Sequence, residues 1–197
     1  MKEFNIVVVG VGGQGILTLQ RVIAEAALMQ GLDVKTSELH GLAQRGGSVA
    51  SHIRFGKKVY SSLVVTGKAD LIIGLEPLET LRRCSYGSKK NKTVFIFDSF
   101  KSIPVSVPVL KDKYPDMKEI VKDLKKFSKK VYDLDASEIV KKEVGSVAPT
   151  NIFLLGFACG KKLMPLKKKF LLEAIKENVP EKYFEINKKV FELGMKQ

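Results

Sequence analysis

The chain has 197 residues, 45% hydrophobic and 28% charged, which supplies apolar material for one packed domain and not for two. No apolar run is long enough to span a bilayer, and the opening MKEFNIVVVG lacks the layout of a signal peptide, so the sequence reads as cytoplasmic. The net charge of +13 rests on 34 basic residues of which only five are arginine, a lysine-heavy balance that argues against a nucleic-acid reader.

The first element is NIVVV (5–9), apolar on both faces as a covered strand must be. Gly10, Gly12 and Gly15 follow with G-x-G-x-x-G spacing, and 15–30 then carries Ile16, Leu19, Val22, Ile23, Ala26 and Ala27 at helical intervals up to Gly31. DVKTSE (33–38) reads as a second strand, and a β-α-β unit places two parallel strands side by side. The passage HGLAQRGGS (40–48) is too rich in glycine and polar residues for a helix. VASHIRF (49–55) and VYSSLVV (59–65), separated by Gly56-Lys57-Lys58, read as an inserted β-hairpin.

DLIIG (70–74) returns to a buried strand, and Pro77 opens a short helix over 77–84. TVFIF (93–97) is the next strand, ending at Asp98, which reads as a polar contact or a cap for the following turn. An amphipathic helix is expected over 117–127 and a last strand over 130–134. Asp135 is a candidate cap for a helix over 136–143, and Thr150 or Asn151 for the apolar helix NIFLLGFACGKKL. Two further helices, beginning after Pro165 and near Tyr183, complete the chain. The pattern predicts a single α/β domain with a Rossmann-like, doubly wound, mostly parallel sheet, an inserted hairpin and C-terminal helices. Its core spans 1–148 and its helical tail 149–197.

The first glycine motif permits a tight turn, a close approach to the backbone and a packed helix start, and the helix N-terminus favours an anion. Glu38, 23 residues beyond Gly15, stands roughly where a nicotinamide-nucleotide site keeps its ribose-binding acid. Gly13 and Gln14 depart from the bare fingerprint, and the 40–48 loop crowds the place where adenosine would lie. The turn is therefore open to three readings: a dinucleotide site, a site for another anion, or a structural turn.

The second glycine motif carries His40, Gly41, Gln44, Arg45, Gly46, Gly47 and Ser48. It follows the carboxyl end of a strand, where open α/β sheets bind ligands, and Arg45 offers a fork for carboxylate or phosphate. Both glycine segments should converge on one rim. His52 reads as a surface or satisfied strand histidine. Cys84 and Cys159 lie far apart, without zinc or iron–sulfur spacing, and read as ordinary thiols. No self-contained catalytic set stands out. Eight lysines in 111–130 and five in 161–169 read as a solvated face, or as a field that attracts an acidic protein or a phosphorylated substrate.

The paired motifs GxGGQG and HGxxQRGGSVxSHxR, densest over 4–56, resemble the opening of the beta subunits of indolepyruvate ferredoxin oxidoreductases. These belong with the gamma subunits or domains of the pyruvate, 2-oxoisovalerate and 2-oxoglutarate ferredoxin oxidoreductases. The likeness continues through ADLIIGLEPLETLR and APTNIFLLGFACG. It implies an accessory subunit of an enzyme that oxidatively decarboxylates an aryl 2-oxo acid with coenzyme A and passes electrons to ferredoxin. Thiamine diphosphate and [4Fe-4S] clusters are then expected on a larger partner subunit, with no cofactor held by this chain alone and no nucleic-acid or membrane partner. Residue by residue, Gly10, Gly12, Gly13, Gln14 and Gly15 match the first motif, and His40, Gly41, Gln44, Arg45, Gly46, Gly47 and Ser48 the second. The resemblance places them on a rim near the partner's active site or the coenzyme A path and assigns none of them a chemical step. Two rival readings are a free-standing NAD- or FAD-binding oxidoreductase and a basic interaction module; within the family, a pyruvate or 2-oxoisovalerate gamma subunit is the alternative.

Overall fold

A computed structural model describes residues 2–41, 46–103, 113–128 and 130–197. Six strands form one sheet: β1 (Phe4–Val11), β2 (Asp33–His40), β3 (Ser48–Gly56), β4 (Leu71–Gly74), β5 (Val94–Asp98) and β6 (Lys130–Leu134). Their spatial order is β2-β3-β1-β4-β5-β6. β1, β4, β5 and β6 run parallel, whereas β3 is antiparallel to both β1 and β2.

This order corrects two expectations. β2 is not the parallel neighbour of β1, because β3 lies between them, with Val7 opposite His52 and His52 opposite Ser37. The hairpin partner of β3 is β2 and not 59–65, which forms no strand. The segment 59–65 is held differently. Val59 and Val64 are buried while Tyr60, Leu63 and Val65 face outward. Arg54 holds the segment by donating to the Ser61 carbonyl at 2.8 Å, and the Val59 N–H donates to Asp33 at 2.8 Å.

The helices are α1 (Ile16–Met29), α2 (Pro77–Arg82), α3 (Met117–Phe127), α4 (Ala136–Val144), α5 (Thr150–Gly160), α6 (Lys168–Asn178) and α7 (Phe184–Met195). One sheet face, through Ile6, Val8, Ile53, Leu71, Ile73 and Ile96, packs against α1 and the helices from α4 onward. The other, through Val7, Val9, Ile72, Phe95 and Phe97, packs against Ile120 and Leu124 of α3 and Leu81 of α2. Both faces of β1 and β4 are covered, which is why their sequences are continuous apolar runs. At the α5–α7 crossing the backbones nearly touch: a Cβ on Gly156 would lie 2.1 Å from the Phe191 carbonyl oxygen, and one on Gly194 2.2 Å from that of Phe153.

Two cap assignments also change. Asp135 occupies the α4 N-cap without a capping bond; its carboxylate accepts from the Ser99 hydroxyl. Asp98 at the end of β5 accepts from the Ser137 N–H at 3.1 Å and so serves the first turn of α4 from outside the helix. Pro149 is the N-cap of α5, and Thr150 and Asn151 lie inside that helix. Among the described residues, no helix is long and apolar enough to cross a membrane.

Candidate functional site

The helix after β1 covers one face of the sheet and the helix after β4 covers the other. The chain therefore diverges at the carboxyl ends of β1 and β4, which is where a doubly wound sheet opens its ligand crevice. Gln14 occupies that opening. Its Oε1 accepts from the Val11 N–H at 2.9 Å, and its Nε2 donates to the Leu75 carbonyl at 2.9 Å. Gly10 lies within β1, and a Cβ there would stand 2.6 Å from the Gln14 Oε1. The first glycine thus makes room for a side chain of the turn itself rather than for the tight bend expected of it.

Gly12 also has a local partner. Its N–H donates to the Gly47 carbonyl at 2.8 Å, and its own carbonyl accepts from Gly46 at 3.2 Å. These bonds extend the β1–β3 ladder by one step beyond Val11 and Ser48. The two glycine motifs therefore converge, as expected, and what approaches Gly12 closely is the second motif. Gly13 and Gly15 have left-handed φ values of 103° and 76°. Gly15 caps α1, and its carbonyl accepts from the Asn151 Nδ2 at 2.9 Å, tying α5 to the turn.

Among the described residues, the N-terminus of α1 has no side-chain cap and no acid in its first turn, an arrangement that favours an anion. A cleft of about 500 Å³ lies beside it, lined by Gly13, Leu17, Thr18, His40 and Val49 among others. A second, of about 420 Å³, lies across Gly13 toward Pro149, Asn151 and Tyr183. A smaller cavity of about 130 Å³ is lined by Gln14, Leu75, Asp98, Phe100 and Thr150. Leu17, Phe100, Val147, Tyr183 and Ile186 stand exposed around these openings. His40 and Gly41 sit exposed at the end of β2, and Gly46 and Gly47 adjoin Ser48. Gln44 and Arg45 lie outside the described residues.

Beneath the rim is a network that the sequence reading missed. Ser48 Oγ donates to Glu79 Oε2 at 2.5 Å, and Arg82 donates to Glu79 Oε1 at 2.6 Å. Glu76 accepts from the Glu79 N–H at 2.8 Å and from the Tyr114 hydroxyl, which in turn accepts from the Leu78 N–H at 3.1 Å. Burial pushes Glu76 upward in pKa against the pull of these donors, and burial with the adjacent Glu76 carboxyl raises Tyr114. Burial likewise raises Asp98 despite the Ser137 donors. The signal that would have found this network is Glu76-Pro-Leu-Glu79, two acids at the N-cap and N3 of a helix that follows a strand.

The dinucleotide reading meets a geometric obstacle. Glu38 lies on the edge strand, separated from β1 by β3, and its Oε1 accepts from Gln20 Nε2 at 3.1 Å. Nor do the residues present fit an iron–sulfur cluster. The two cysteines of the chain lie on different elements, half-buried, their thiols pushed up in pKa by burial. Among the described residues, no three of His, Cys, Asp and Glu group as metal ligands do.

Residues 5–197 match the sequence profile of the family described as pyruvate ferredoxin/flavodoxin oxidoreductase. The chain is 44% identical to indolepyruvate oxidoreductase subunit IorB of Archaeoglobus fulgidus, over 99% of this chain and 95% of that one. Its fold is similar to the keto/oxoacid ferredoxin oxidoreductase gamma subunit of Geobacter sulfurreducens, with TM-score 0.70, 20% identity, and 98% and 96% of the two chains covered. It is also similar to part of the 2-oxoglutarate:ferredoxin oxidoreductase of Magnetococcus marinus, a structure with 2-oxoglutarate, coenzyme A and succinyl-CoA bound. There the TM-score is 0.72 at 20% identity, covering 98% of this chain and 30% of that one.

Proposed function

Because the chain belongs to the pyruvate ferredoxin/flavodoxin oxidoreductase family, we propose that it is the accessory subunit of an indolepyruvate-type 2-oxo acid:ferredoxin oxidoreductase. It is inactive alone and completes the active site of a larger partner. The observation that carries this reading is the Gly12–Gly47 closure of the two motifs. Gln14, Gly12 and Ser48 spend their hydrogen bonds on the chain itself, so the rim is a shaped surface rather than a catalytic set. The exposed Leu17, Phe100, Val147, Tyr183 and Ile186 give that surface an apolar border suited to a subunit contact.

Thiamine diphosphate and [4Fe-4S] clusters on the larger subunit would supply the decarboxylation and the electron path to ferredoxin. This chain's part is to wall the site and line the approach of coenzyme A. The uncapped start of α1 favours an anionic group, and the clefts on either side of Gly13 give an elongated ligand room to lie. The proposed rim residues are Gly10, Gly12, Gly13, Gln14, Gly15, His40, Gly41, Gln44, Arg45, Gly46, Gly47 and Ser48.

Reconstitution tests the reading. The purified chain, given indolepyruvate, coenzyme A and ferredoxin, is expected to show no turnover, and mixing it with the large subunit is expected to restore coenzyme A-dependent oxidation. Turnover by this chain alone, with thiamine diphosphate bound to it, overturns the proposal. The same assay run with pyruvate and 2-oxoisovalerate distinguishes the gamma-type alternative.

A further inference from the structure

We propose that Glu79 is a positioning residue for the reaction of the complex, acting through Ser48 to hold the glycine rim in the shape that receives coenzyme A. The proposal rests on the assignment of that rim to the coenzyme A path. Glu79 belongs to neither glycine motif, yet it ends a three-step connection to the first. Its Oε2 accepts from Ser48 Oγ at 2.5 Å; Ser48 follows Gly47; and the Gly47 carbonyl accepts from the Gly12 N–H at 2.8 Å.

The Glu79 side chain is only 3% exposed, whereas its ion-pair partner Arg82 is 51% exposed. Holding a carboxylate in so closed a place is costly, and an apolar side chain of similar volume would often serve stability as well or better. Two neighbours hold the carboxylate and a third holds the backbone that carries it. Arg82 takes one carboxylate oxygen, Ser48 the other, and the Glu79 backbone N–H is held by Glu76. Glu76 is in turn fastened by the Tyr114 hydroxyl. Burial and the Arg82 contact restrict the carboxylate, so it offers the Ser48 hydroxyl a defined acceptor. That fixes the first residue of β3 and, one residue earlier, the peptide that closes on Gly12.

The test is coenzyme A saturation of the complex reconstituted with the large subunit, using Ser48→Ala, Glu79→Leu, the double variant and Ser48→Thr. Each single variant is expected to raise the KM for coenzyme A about tenfold with kcat within about twofold, the scale of one hydrogen bond to a charged group. The double variant is expected to match the singles, because both remove the same link. Ser48→Thr keeps a hydroxyl and suits a strand, so it is expected to stay near the wild type. Wild-type saturation by Ser48→Ala overturns the proposal, as does a double variant whose effect is the product of the two singles. If Glu79→Leu fails to fold, the contrast between Ser48→Ala and Ser48→Thr decides alone. If the wild-type chain leaves coenzyme A saturation of the large subunit unchanged, the assignment of the rim fails, independently of Glu79.

Discussion

Gln14 and Leu75 are joined across the carboxyl ends of β1 and β4, with Gln14 Nε2 donating to the Leu75 carbonyl at 2.9 Å. The same side chain closes the open end of the β1 ladder at the Val11 N–H. The glutamine thus satisfies one backbone donor of β1 and one backbone acceptor just beyond β4, and leaves the start of α1 uncapped. Removing it by Gln14→Ala leaves a partly buried donor and acceptor without partners. The expected loss is about 1–3 kcal/mol in urea denaturation, and an unchanged midpoint would contradict the stapling role.

The dinucleotide reading makes a different forecast for Glu38. One strand, β3, separates it from β1, and Gln20 already holds its carboxylate. Calorimetric titration with NADH or FAD is expected to show no binding, and Glu38→Ala no change. Micromolar binding that Glu38→Ala abolishes would restore that reading.

His52 is fully buried, with Nδ1 accepting from the Val64 N–H at 3.1 Å and the ring edge-on to Tyr86 at 4.9 Å. Burial first, and the Arg83 charge second, lower its pKa. A base whose pKa is lower folded than unfolded binds more protons when unfolded. Its contribution to stability is therefore complete above about pH 6.5 and is lost as the pH falls toward the folded value. Glu76 and Asp98, raised by burial, act in the opposite sense at lower pH, so the comparison must be with His52→Asn. That variant keeps an acceptor for Val64 and is expected to flatten the decline in melting temperature between about pH 6.5 and 5. Parallel curves for the two proteins would reject the assignment.

The α5–α7 crossing admits no side chain at its centre. Gly156→Ala places a Cβ 2.1 Å from the Phe191 carbonyl oxygen, and backbone cannot yield as a side-chain tip can. The expected destabilisation is about 3 kcal/mol. Gly145→Ala has a left-handed φ of 73° but open space around it. Its cost should be nearer about 1 kcal/mol, from backbone strain alone. Equal melting temperatures for the two variants would refute the close crossing.

Much of this molecule was legible in its residues. The covered strands at NIVVV, DLIIG and TVFIF and the helices after them follow from local period and composition, because burial on two faces leaves a continuous apolar run. The pairing of GxGGQG with the QRGGS motif was legible too, and the two do meet. The close helix crossing was not legible: Gly156 and Gly160 stand four residues apart on one helix face, but spacing alone does not name the facing chain.

What the sequence by itself determined is most of the elements, the strand expected at 59–65 excepted, and the two motifs; what tertiary structure decided is their neighbours. A strand carries no mark of which edge it joins, so β3 could slip between β1 and β2, moving Glu38 away from the turn. Hydrogen-bond partners distant in sequence are equally silent. Ser48 and Glu79 are 31 residues apart and Gly15 and Asn151 136 apart, and only the folded chain brings each pair within 3 Å. Local preference reaches a few residues along the chain, whereas satisfying buried polar groups is a demand of the whole core.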